Sequence, residues 1–336
     1  MTTSHFPSLL KTLPLLLLGG GLLLAGAVFL GLSGGSSGLS PSDLWLLLTK
    51  PESADPVTAA IIWQIRLPRV VMAAAAGATL ALGGLIFQAL LRNPLAEPYI
   101  LGLSGGAAVG AILGMMAGLA NFPGVTLLAF AGGMATLLLV LAIAGSQSGG
   151  GKDTLLLGGV MMNAFCGSLI MLLLAISQDD QLRTILFWLM GDLSRADLHH
   201  LPILLLLLPA MLVISLLART LNLLLLGRDS AAGLGVGVRN VSLLLLTMTS
   251  FMVGIVVSQA GLIGFVGLVV PHIFRMLAGP DHRLLIPACL LGGAAYLILC
   301  DLLARSLPTG GEMPVGIVTA LIGAPLFIFL LWKSRT

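Results

Sequence analysis

Apolar runs of roughly 20 residues recur along this chain, separated by short polar stretches. A helix of about 20 apolar residues crosses a bilayer core of about 30 Å, and in lipid such a segment must satisfy its own backbone polar groups. The pattern predicts ten spanning helices, over 13–32, 68–90, 100–119, 125–144, 155–177, 201–217, 241–257, 261–278, 284–303 and 315–332. The eighth is short and is interrupted by Pro271. The first follows a leader bearing Lys11; it is too long for a signal peptide, with no clear small-x-small cleavage site before a soluble domain, and reads as a span.

Two outer segments exceed hairpin length. Residues 33–67 begin "SGGSSGLSPSD" and continue with "PESADP"; residues 178–200 carry an apolar core, 185–193, that reads as an interfacial or capping helix. Composition adds that no water-facing surface could be covered: of 336 residues, 58% are hydrophobic and 9% charged, against about a quarter charged in soluble domains. The expectation is an all-α polytopic membrane protein, one transmembrane domain over 1–336 with no soluble domain.

An even number of spans puts both termini on one side, and the Lys/Arg bias chooses it. The terminal segments and even-to-odd loops hold 10 of the 16 Lys and Arg and the opposite loops 6, so both termini are expected in the cytoplasm. Cys166, Cys289 and Cys300 lie inside apolar runs with no CxxC pair, and read as small buried hydrophobes.

Several motifs need weighing. Gly102, Gly106, Gly110, Gly114 and Gly118 recur every four residues and predict one glycine face for close helix packing, with a substrate-facing groove as the alternative. "GLSGG" fits the G-x-S-x-G nucleophile pattern at Ser104, but no strand is predicted before it, and a glycine zipper produces the match by itself. "SGGGKDT" places Asp153 where a phosphate-binding loop needs Ser or Thr, so no nucleotide site is read. "WQIRLPRVV" sets Arg66 and Arg69 at the outer mouth of the second span, as headgroup anchors or as a dock for an acidic partner. "LLRNPLAEP" and "GLVVPHIFRMLAGPDHR" pair proline, arginine and acid at the inner ends of two spans, a hint of an internal repeat. In the longest inner loop, 223–240, Asp229 or Ser230 is expected to cap a short helix that Gly233 or Gly235 ends, either a plain connector or a cytoplasmic contact.

Together "IRLPRVV", "GGLIFQALLRNPLAEPYILGLSGGAAVGA", "GLIGFVGLVVPHIFRMLAGPDHR" and "GEMPVGIVTALIGAPLFIFLL" resemble the FecCD/cobalamin-type permeases, membrane subunits of type II ABC importers, over about 63–332. The resemblance implies a homodimer with the pathway on its two-fold axis, two cytoplasmic ATPase subunits and a substrate-binding protein outside. It implies that Arg66, Arg69 and Arg305 dock the binding protein. It implies that Asn93 and Leu95 form an inner gate with Lys152 and Asp153, although the glycine-rich "SQSGGGKDT" departs from the family there. Arg228, Asp229, Ser230, Ala231, Ala232, Gly233 and Leu234 then correspond to the helix that couples to the ATPase, and the fifth span lines the pathway. The chain itself is expected to be no enzyme and to bind no cofactor or metal; ATP and Mg belong to the partner ATPase. The cargo implied is a metal chelate, an iron-siderophore or haem first and cobalamin next, with a molybdate-type oxyanion less favoured. An ATP-independent secondary transporter or channel is the alternative; it would need ionisable residues at mid-membrane, and the predicted spans hold almost none.

Overall fold

The computed structural model describes residues 9–35, 41–50, 55–146, 152–308 and 311–333, and these are helical without a strand. In chain order the helices are α1 (Leu9–Ser33), α2 (Pro41–Thr49), α3 (Pro56–Ala60), α4 (Leu67–Leu91), α5 (Leu103–Met116), α6 (Thr126–Ser146), α7 (Lys152–Ile176) and α8 (Asp179–Leu189). There follow α9 (Leu207–Leu216), α10 (Ala218–Leu225), α11 (Arg228–Gly233), α12 (Val238–Ala260), α13 (Val266–Ala278), α14 (His282–Ser306) and α15 (Val315–Lys333).

Six helices are long and apolar enough to cross a membrane, a seventh crossing is the bent pair Leu201–Leu216 and Ala218–Leu225, and three shorter apolar helices are α5, α13 and Val315–Phe329. These fall one for one on the ten predicted segments. Beyond those three short helices, lengths depart from expectation in two more places. The second crossing is continuous from Pro56 to Leu91, because a π-helical stretch, Ile61–Arg66, joins α3 to α4. The chain bends by 53° after α9, and α10 buries Ala218, Leu221 and Leu224 along one side, the pattern of a helix lying on a surface.

The bundle is built around α4. In the crossing that contains it 83% of the apolar window is buried inside the protein, against 11% for α1 and for α7, so α4 is the axis and those two are peripheral. Lipid tails are as apolar as leucine, so helices hold together here by close approach rather than by escape from water. A Cβ on Gly77 would lie 2.1 Å from the carbonyl oxygen of Gly293 on α14, and one on Gly84 1.9 Å from that of Gly267 on α13. Only glycine permits either contact.

The glycine run is split by function. Gly106 and Gly110 face α6 at backbone contact, where a Cβ would meet Thr136 Oγ1 at 1.9 Å and Leu128 O at 2.0 Å, and Gly114 faces Val125. Gly102 also packs closely, a Cβ there lying 2.8 Å from Thr136 Cγ2 and 3.2 Å from Met162 Cβ, whereas Gly118 is off this face. Gly102 is the left-handed N-cap of α5 (φ 84°), and Gly118 (φ 69°) follows the helix end with no atom near its absent Cβ. They break the helix at its two ends. The expected interfacial helix over 185–193 is α8, which begins earlier at Asp179 and ends at Leu189, with Asp179 and Asp180 in its first turn beside the positive end of the helix dipole.

Candidate functional site

At one end of the bundle α1 finishes, α4 begins and α14 finishes, and three arginines meet there. The last carbonyls of a helix lack partners within it and carry the negative end of its dipole. Arg66 Nη1 donates to Leu32 O at 2.7 Å and Arg305 Nη2 to Gly31 O at 3.0 Å, so both cap α1. Arg69 Nε donates to both carboxylate oxygens of Asp301, at 2.9 and 3.1 Å, and its Nη1 to Glu312. Arg305 Nε lies 3.1 Å from Asp301 Oδ2, one helical turn back on α14. All three arginines are at most 4% exposed, so they sit within a pocket rather than on a flat face. Sequence reading brought out the arginines but neither counter-ion. Asp301 was signalled by its four-residue spacing to Arg305; Glu312 lies 243 positions from Arg69, inside the "GEMPVGIV" motif but with nothing there to mark it as a counter-ion.

The opposite ends of α4, α10 and α13 form a second centre. Arg92 ends α4 in the left-handed region (φ 49°), uncommon for a residue with a side chain. Its Nη2 donates to Leu224 O at 2.8 Å, near the end of α10. Asn93 follows in an Asx turn, its Oδ1 accepting from Leu95 N at 2.9 Å, and Leu95 is exposed. Burial pushes the Glu97 carboxyl above its usual range. The two proline-bearing breaks are brought together through Gln88, whose Nε2 donates to Gly267 O at 3.1 Å and whose Oε1 accepts from Arg275 Nη2 at 2.8 Å.

The remaining gate residues sit at the start of α7. Asp153 is exposed in its first turn; the side chain of Lys152 and the preceding 147–151 lie outside the described residues. α7 is clamped to the turn after the break, Asn163 Nδ2 donating to Tyr99 O at 2.9 Å, and Gly159 rests where a Cβ would be 2.1 Å from Ile100 O. Leu155 and Leu156 join the cluster built on Phe87, Ala96 and Leu101, so break and helix start share one apolar patch.

The expected helix in the 223–240 loop is α11, but its cap differs. Gly227, at φ 123°, is the N-cap, so Arg228 and Asp229 fall inside the helix and neither Asp229 nor Ser230 caps it. The glycine supplies a backbone angle that a capping side chain would resist. Of α11 only Ala231 is buried; Arg228, Asp229, Ser230, Ala232, Gly233 and the following Leu234 are exposed. Ser104 lies in the first turn of α5 with no strand before it, so it has no nucleophile elbow.

The FecCD transport family matches residues 22–333. The chain belongs to this family. Among relatives, it is 40% identical over 314 residues to the vitamin B12 import system permease protein BtuC of Escherichia coli O9:H4 (strain HS), covering 92% of each chain. It is 42% identical over 276 residues to that of Klebsiella pneumoniae, covering 82% of this chain and 83% of the relative. A solved metal-chelate type ABC transporter in an inward-facing conformation superposes with a TM-score of 0.85 at 35% identity, covering 95% of this chain and 99% of the other. PsaBC from Streptococcus pneumoniae, at 16% identity and a TM-score of 0.58, shares the fold. This FecCD member is therefore a multi-pass ABC-transporter permease with a type II importer fold.

Proposed function

We propose that the chain is the membrane subunit of an ATP-driven importer for a metal chelate, working as a homodimer in a bacterial inner membrane with two cytoplasmic ATPase subunits and an outer substrate-binding protein. The observation that carries this reading is the pairing of two centres at opposite ends of α4: a recessed, cationic pocket and a bare, weakly anchored helix. Arginine forks suit carboxylates, so Arg66, Arg69 and Arg305 receive acidic residues of the binding protein. α11, whose one buried residue is Ala231, enters the ATPase, and Arg92 ties it through α10 to the break at Asn93 and Leu95.

The Lys/Arg bias supports both termini in the cytoplasm, which puts α11 inside and the arginine pocket outside. An uncovered stripe on α7, with Leu157, Met161, Phe165 and Leu172 exposed, suits the pathway face of the dimer. Nucleotide movement at α11 then swings the gate of Asn93, Leu95, Lys152 and Asp153 and the outer mouth in opposite phase. No chemistry is done on the cargo. Cobalamin is favoured among chelates by the relatives' names, with iron-siderophores and haem close behind. Co-purification with its ATPase tests the assembly. Equal numbers of the two subunits, with ATPase activity raised by the loaded binding protein, are expected; a permease that purifies alone and transports without ATP contradicts it and favours a secondary transporter.

A further inference from the structure

Building on the docking reading above, we infer that Glu312 is an internal stand-in for the partner's carboxylate, occupying Arg69 until a docking acid displaces it. The cluster holds three arginines and two carboxylates, one positive charge in excess, and the two acids are held very differently. The side chain of Asp301 is 1% exposed, binds Arg69 through both oxygens and also reaches Arg305. It is the fixed counter-ion. The side chain of Glu312 is 42% exposed and, among the described residues, meets Nη1 of Arg69. It is carried on the short connection between α14 and α15 rather than on a helix. Returning a half-exposed carboxylate to water costs little, whereas extracting Asp301 would strand two buried guanidinium groups.

The place vacated is shaped to receive an acid. A cavity of about 240 Å³ is lined by Arg66, Arg69, Arg305 and Glu312, with Gly35 and Ile65 on its wall. Arg305 Nε is ion-paired with Asp301 at 3.1 Å but not aligned to hydrogen-bond with it. An incoming carboxylate takes Nη1 of Arg69 as Glu312 leaves, and charge in the pocket is conserved. Glu312 therefore competes with docking and sets its strength.

The test is the dissociation constant between the substrate-binding protein of its own importer and the purified permease–ATPase complex. Glu312→Gln is expected to tighten docking about fivefold. Glu312→Asp, with the same charge on a side chain one methylene shorter, is expected to tighten it as well. The gain from Glu312→Gln persists in an Arg66→Gln background and disappears in Arg69→Gln, the coupling expected of two groups in contact. Unchanged or weaker docking by Glu312→Gln overturns the inference. So does a gain that survives Arg69→Gln, or no effect of Glu312→Asp, since either would reflect net charge alone; the Glu312→Asp result decides even where Arg69→Gln does not fold. Equal docking by wild type, Arg66→Gln and Arg69→Gln would instead refute the docking role of the arginines.

Discussion

Asp301 holds Arg69 by both carboxylate oxygens across 232 positions of sequence, tying the start of α4 to the end of α14. With Arg305 on the same carboxylate, the acid neutralises two guanidinium groups that burial keeps from water. Removing one partner of such a network leaves uncompensated buried charge at a cost of about 3–5 kcal/mol. Asp301→Asn is therefore expected to lower the unfolding temperature of the detergent-purified protein sharply, while Glu312→Gln, at the half-exposed acid, moves it little. Equal shifts for the two would show that the acids are equivalent supports.

Close helix approach gives a second expectation. Gly84→Ala puts a methyl group 1.9 Å from Gly267 O, which must part α4 from α13 and stretch the Gln88–Gly267 hydrogen bond. Overpacking of this kind costs about 1–3 kcal/mol. Gly167→Ala, on α7 with no atom near the new Cβ, should leave stability unchanged or raised. Unfolding midpoints of the two variants side by side decide it, and equal midpoints would sink the packing argument.

Coupling depends on the one anchored residue of α11. Ala231→Asp puts a carboxylate into the apolar cluster that Ala231 joins, so α11 lifts from α10 and α12. ATPase stimulation by the loaded binding protein should be lost while the membrane helices remain folded. Stimulation at the wild-type level in a folded Ala231→Asp protein would mean that α11 is a connector only.

At the α13–α14 corner, Asp281 accepts from Arg283 and from Asn222 Nδ2 at 2.7 Å, and the Arg283 guanidinium foremost holds its carboxyl at about 2. An unfolded carboxyl titrates near about 3.9. The folded value is depressed, so its stabilisation is complete above about pH 4 and is lost as the pH falls through about 2. The difference in unfolding temperature between wild type and Asp281→Asn should be constant from pH 7 to 5 and shrink below 4. A difference that stays constant down to pH 2 would refute this account.

The spans were legible because lipid imposes length and apolarity: six long helices and one bent pair fall where hydropathy placed them, and three shorter apolar helices fill the remaining segments. The turn chemistry was only partly legible. Gly102 packs on Thr136 as the four-residue period predicts, but its positive φ starts α5, and Gly118, also at positive φ, lies past the helix end with nothing near it. Asp229 looked like a cap, but the unusual backbone angle at Gly227 starts α11 two residues sooner. In the arginine pocket the "RLPR" pair stood out, while the helix end that Arg66 and Arg305 cap lies 34 and 274 positions away. Such partners exist only after the bundle folds, as does Glu312 beside Arg69.

The most direct measurement is transport in proteoliposomes carrying the permease, its ATPase and its binding protein. Cobalamin, a ferric siderophore and haem are offered on the binding-protein side, ATP is supplied on the ATPase side, and cobalt and iron are counted by elemental mass spectrometry. The account predicts ATP-dependent movement of one chelate, abolished by Ala231→Asp. Movement that continues without ATP, or no movement of any chelate with a bound and active ATPase, would contradict it.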